Sequence, residues 1–158
     1  TKNNNISVLY GDAQRFGEDN SYWEVGEYNF HKLLKSNYID ACAIINKSVF
    51  KTIGLYDQNM PHQGLEDWEI WIRCSFHDLK FYYLARPTFD YRVTSTSMIN
   101  SYDKNMFEKS RKYVVSKYAI SYLKAYNQIF KENENLKTKI NQVLNDPLFK
   151  IYKFLKSV

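Results

Sequence analysis

The sequence predicts an α/β chain followed by a helical carboxy-terminal extension. Three observations carry that prediction. Short β-rich runs alternate with loops and short helical stretches through the first hundred residues. All five glycines and two of the three prolines fall in that same part. After Pro87 neither residue recurs until Pro147, and the intervening text has helical periodicity. The division is therefore expected near residue 100, with residues 1–100 forming the α/β part and 101–158 the helical one.

Taken in order, "ISVLY", "ACAII", "KFYYLA" and "TFDYRV" read as strands, rich in β-branched and aromatic residues. "NKSVFKTIG" reads as a short helix capped by Asn46 and ended by Gly54. "GLEDWEIWIR" opens a second helix: Glu66, Asp67 and Glu69 occupy its first turn, where the helix dipole and free amides favour anions. Leu65, Trp68, Ile72, Phe76 and Leu79 recur at steps of three or four and define one apolar face. In the second part, Phe107, Val114, Tyr118, Ala125 and Ile129 form one helical stripe, and "ENENLKTKINQVL" forms a further helix. Asp146 then caps a last helix with Pro147 at its first position.

Composition bounds the function classes. With 158 residues, 44% of them hydrophobic, the chain has enough apolar material for a core of ordinary domain size. Cys42 and Cys74 sit in apolar runs without metal-ligand spacing, which predicts two buried thiols in a reducing compartment. No run of apolar residues is long enough to span a bilayer. The charge is uneven: residues 1–100 hold 10 Lys and Arg against 12 Asp and Glu, and residues 101–158 hold 12 against 5. The second part thus faces something acidic, and nucleic acid and an anionic membrane surface both meet that description. No nucleic-acid motif accompanies the charge, which argues against nucleic acid as partner. In "DPLFKIYKFLKSV", a helix from Pro147 places Leu148, Ile151, Tyr152 and Leu155 on one face with Lys150, Lys153 and Lys156 at its flanks. That pattern describes a helix packed on a core more often than one in a membrane interface, and both are open.

Several phrases together resemble the second half of a family-two glycosyltransferase with the GT-A fold, which implies a partial GT-A, Rossmann-like mixed sheet in the first part. They are "GLYD" at Gly54–Asp57, the run Gly64, Glu66, Asp67, Trp68 and Arg73, and "YRVTSTS" at residues 91–97. "SNYIDACAIINKSVFKTIG" resembles the acceptor-side strand and the helix behind it, and "VLYGDAQRFG" the strand after the metal-binding turn. The likeness runs in register over about residues 6–98.

The resemblance implies an inverting transferase that moves a sugar from a nucleotide-sugar donor to a glycan or lipid-linked acceptor, as in bacterial surface polysaccharide assembly. Asp67 would be the general base and Glu66 would orient the acceptor. Arg92 and Ser97 would approach the leaving diphosphate, while Trp68 and His62 would line the acceptor site. For Arg92, an ion pair with Asp90 or Asp57 is the competing role. Trp68 and Trp71 compete as plain core residues.

Thr94 stands where the family often has histidine, and Asp12 matches a strand position, so no metal ligand is assigned. A divalent metal, Mg or Mn, is expected in a parent enzyme and not on these residues. The resemblance also lacks the family's nucleotide-binding half, so the isolated chain is expected to be inactive. It is further expected to self-associate through an exposed strand edge, "ISVLY" or "CAIIN". The implied location is cytoplasmic, with peripheral contact at the inner membrane face. The alternative from another class is a non-catalytic module that docks its basic helices on a membrane or a protein.

Overall fold

A computed structural model describes residues 6–97, 103–148 and 155–156. The chain forms two compact units, residues 1–117 and 118–158. The first is a mixed α/β unit built on a four-stranded sheet. Strand β1 (Val8–Gly17) is central. On one side it pairs antiparallel with β2 (Tyr22–Trp23) and with β3 (Ile44–Ile45). On the other it runs parallel to β4 (Phe81–Val93). Helices α1 (Phe30–Lys35), α2 (Lys47–Ile53) and α3 (Glu66–Phe76) fall between β2 and β4, and α4 (Lys104–Lys117) completes the unit. In the second unit, α5 spans Ala119–Asn145.

The two expected runs "KFYYLA" and "TFDYRV" are one strand. Pro87 does not end it, because β4 bulges there: Gly11 pairs with Leu84, Asp12 with Pro87 and Ala13 with Phe89. A Cβ on Gly11 would lie 2.7 Å from Arg86 O and 2.8 Å from Leu84 O, so only glycine fits beside the bulge. Just after it, the buried Asp12 locks three elements. It accepts hydrogen bonds from Tyr22 Oη (2.6 Å), Tyr83 Oη (2.6 Å) and Val25 N (2.8 Å). Burial pushes its carboxyl up, but those donors and the Gly26 amide outweigh burial and hold it below the usual carboxylate range.

Helix α2 matches its predicted limits. Asn46 Oδ1 accepts from Ser48 N at 3.0 Å, and Gly54 ends the helix. Helix α3 departs from the one-faced reading, because burial reaches nearly all round it. Trp68, Glu69, Ile70, Trp71, Ile72, Cys74 and Ser75 are all buried. Both indoles satisfy their N–H groups on backbone carbonyls: Trp68 Nε1 donates to Leu33 O at 2.7 Å, and Trp71 Nε1 to Ile39 O at 3.0 Å. Trp71 also meets Phe81 of β4 edge-on. The helix is therefore the pin between α1, the following loop and the sheet.

Four further expectations are corrected. "ISVLY" is not an open edge, because β1 has partners on both sides; "CAIIN" does supply an edge strand, with Ile44 exposed. Cys74 is buried, but Cys42 is exposed, since Ala41–Cys42 lies in a turn outside the sheet. The first compact unit passes residue 100 and includes α4, whose Ser110 and Val114 are buried. Finally, the helical break lies at Tyr118, and the expected separate helix at "ENENLKTKINQVL" is the end of α5. Asp146 does cap the next turn, accepting from Leu148 N at 2.8 Å. Residues 149–154 and 157–158, which carry much of the predicted basic tail, lie outside the described residues.

Candidate functional site

The turn into α3 sets the site. Gly64 has φ +109°, a left-handed conformation that L side chains rarely adopt, and it reverses the loop directly into the helix. Leu65 at the cap position has no side chain able to satisfy the free amides. Glu66 braces the turn ahead of the helix instead: its Oε2 accepts from Gly64 N at 2.7 Å. Asp67 follows, with Oδ1 accepting from Trp68 N at 2.8 Å and Oδ2 accepting from Asn37 Nδ2 at 2.7 Å. Asn37 lies in the loop after α1, and its Oδ1 is buried without a hydrogen-bond partner among the described residues.

Two adjoining cavities open onto Asp67. One, of about 280 Å³, has aromatic walls from Trp23, Tyr38, Tyr91 and Phe107, with Asn37 and Asp40 as polar groups. The other, of about 390 Å³, is lined by Tyr56, Glu66 and Ser97 among others. Asp40, Gly64, Asp67 and Tyr91 border both. Trp23 and Tyr91 meet edge to face, 5.5 Å between centroids, which holds the aromatic wall in place.

The electrostatics single out Asp67. Burial pushes its carboxyl up to about 6, with the charge of Asp40 adding, against the opposing hydrogen bonds from Asn37 and from the Trp68 amide. The Tyr56 phenol is raised as well, first by burial and then by the Asp67 charge. The result is a half-buried carboxylate facing open space, ionised at neutral pH and more basic than an ordinary aspartate. Such a group can take a proton from a hydroxyl placed in either cavity.

Of the residues expected at the site, the structure brings Asp67, Glu66 and Ser97 together on one cavity. Trp68 is a correction. It is 1% exposed, committed through its indole to the core, and borders only a separate cavity beside Lys35 and Arg111. Arg92 is exposed on β4 and lines neither cavity at Asp67, because the strand's alternation turns Tyr91 toward the site instead. Among the described residues it pairs with neither Asp90 nor Asp57. His62 also lies off both cavities; its carbonyl accepts from Ser110 Oγ at 3.4 Å. Although Asp40, Glu66 and Asp67 share a cavity, no three His, Cys, Asp or Glu among the described residues gather closely enough to hold a metal.

Sequence reading missed Asn37 and Asp40, whose only signal was position within the acceptor-side phrase. It also missed the purpose of the remaining charges in "GLEDWEIWIR". Glu69 is fully buried and forms ion pairs with Arg73 (2.9 Å) and Lys117 (2.8 Å). Arg73 additionally donates to Ile53 O and Leu55 O, and Lys117 reaches Asp57 at 2.6 Å. Tyr113 Oη donates to Asp57 at 2.8 Å. This network ties the end of α2 and the last turns of α4 to α3. In comparisons with known proteins, no family model, no curated protein and no solved structure matches this chain, so fold and site rest on their own geometry.

Proposed function

We propose that this chain is the acceptor-side part of an inverting glycosyltransferase of GT-A type, with Asp67 as its general base. The reading draws its support from one observation above the others: a carboxylate of raised basicity, held on a helix start, borders two cavities with aromatic and hydroxyl-bearing walls. In the reaction, an acceptor hydroxyl gives its proton to Asp67 as its oxygen attacks the anomeric carbon of a sugar nucleotide. The glycosidic bond to phosphate breaks and the nucleoside diphosphate leaves with the electron pair. Rigid placement of the base favours this step, since misplacement by an ångström is costly. Glu66, tied to Gly64 N, and Ser97 on the same wall would orient the acceptor. Planar apolar surfaces such as Trp23 and Tyr91 suit the faces of a sugar ring.

Donor binding is assigned outside these residues. The described residues do not fit a divalent ion, so no step is routed through Mg or Mn here. Calorimetric titration of the chain with nucleotide sugars and manganese should show no binding tighter than about millimolar; micromolar binding would place a donor site within these residues. The decisive measurement is turnover in an enzyme joining these residues to a nucleotide-binding half. There Asp67→Asn should lower turnover about a hundredfold or more. Unchanged turnover would leave Asp67 a helix-start carboxylate and sink the reading.

A further inference from the structure

We propose that α5 lies along an anionic lipid surface, its apolar face in the headgroup boundary and its lysines, on the outer side, adding attraction to the surface charge. The proposal is independent of the transferase reading. Helix α5 has 27 residues, a length of about 40 Å at 1.5 Å per residue. Leu123, Tyr126, Phe130, Leu136, Ile140 and Val143 are each between 54% and 63% exposed. At 100° per residue these six fall within an arc of about 160°. Lys124, Lys131, Lys139, Gln128, Asn135 and Gln142 occupy the opposite arc. The apolar face has two stretches, Leu123–Phe130 and Leu136–Val143, parted by the polar residues 131–135 with Asn133 on the same side; together they expose more apolar surface than water-facing helices ordinarily carry.

Charge selects the occupant. Residues 118–158 contain seven lysines against three carboxylates. A second copy seated on this face would bring two cationic units together, whereas anionic headgroups complement them. An acidic apolar groove on another protein would satisfy the charge but not the breadth of the arc. No helix among the described residues is long and apolar enough to cross a membrane, so the geometry is that of a helix lying in the interface. Lys137 interrupts the face and pairs with Glu134 at 2.8 Å. Its long stem lets the ammonium rise to headgroup level while the helix stays seated.

The test is sedimentation of the full chain with vesicles of phosphatidylcholine alone and with phosphatidylglycerol added. Binding should be at least about tenfold tighter to the anionic vesicles and should be lost at about 1 M salt. Phe130→Glu should weaken it about tenfold or more. The double variant Lys131→Gln, Lys139→Gln alters two exposed side chains, so its helix content by circular dichroism should hold while anionic binding falls. That arm keeps the test valid if Phe130→Glu fails to fold. Equal binding to both vesicle types, or binding to neither, overturns the proposal. So does a stable dimer by light scattering that Phe130→Glu converts to monomer, because the face would then belong to a second copy.

Discussion

Asp67 and Asp57 are aspartates of the same unit whose surroundings drive them apart. For Asp67, burial raises the folded value from 3.8 to about 6. Between those values the folded state binds more protons than the unfolded chain, so stability falls as pH rises through that window. At neutral pH the charge then costs on the order of 1–3 kcal/mol. Asp67→Asn should therefore stabilise the protein at pH 7 and lose that advantage below about pH 4, as read from urea midpoints across pH. The asparagine can pair with the otherwise unpartnered Oδ1 of Asn37. Asn37→Ala works in the other direction on the same group: it deletes the donor that favours the ionised form, so the Asp67 carboxyl should titrate above about 6 by carbon NMR. Asp57 shows the opposite case. Burial pushes it up, but Lys117, the Asn59 amide and Tyr113 prevail and hold it at about 2. Its contribution is present above pH 4 and is lost as pH falls toward 2. Allowing for the partly exposed Lys117, Asp57→Asn should cost about 1–2 kcal/mol at pH 7 and much less near pH 2.

Elements are joined by two devices that local pattern does not reveal. One is the bulge of β4 against Gly11. Gly11→Ala presses a methyl group on two carbonyl oxygens and on Thr88 Cγ2, atoms held by the parallel ladder. A loss of about 3 kcal/mol or more is expected from the denaturation midpoint, at the upper end of overpacking effects. The other is the buried Glu69 with its two cations. Arg73→Met takes the guanidinium from the buried Glu69, leaves Lys117 beside it, and frees the carbonyls of Ile53 and Leu55. Breaking one partner of a buried pair costs about 3–5 kcal/mol. The same variant should loosen the Gly54–Asp57 segment, seen as faster amide exchange there.

For the molecule as a whole, the boundary between its units follows from where α4 is anchored. Tyr113 and Lys117 reach Asp57 and Glu69, and Ser110 reaches the His62 carbonyl, so α4 belongs to the first unit. A chain ended after Lys117 should unfold cooperatively. One ended after residue 100 should be less stable by more than about 2 kcal/mol, since the buried carboxylates of Asp57 and Glu69 lose their shared cation Lys117. Equal urea midpoints for the two would move the boundary back to residue 100.

Local rules were enough for the sequence to determine the mixed α/β character of the first part, the limits of α2, the start of α3 and the helical character of the second part, but not β2 or α1. Capping, periodicity and glycine placement act within a few residues, and each is written in the text itself. The Glu66–Asp67 pair on a helix start was legible for the same reason, while Ser97 on the same cavity wall was expected only from the resemblance. Tertiary structure alone decided the rest. Whether Trp68 faces a ligand or the core depends on Leu33 O lying within reach of its indole, 35 residues away. Tyr91 faces the cavity and Arg92 does not, because the register of a bulged parallel pair sets which side each residue takes. The end of α4 belongs to the first unit, because Lys117 meets the buried carboxylates of Asp57 and Glu69, 60 and 48 residues away. Burial, register and long-range charge pairing depend on chain segments far apart in sequence, and no short pattern encodes them.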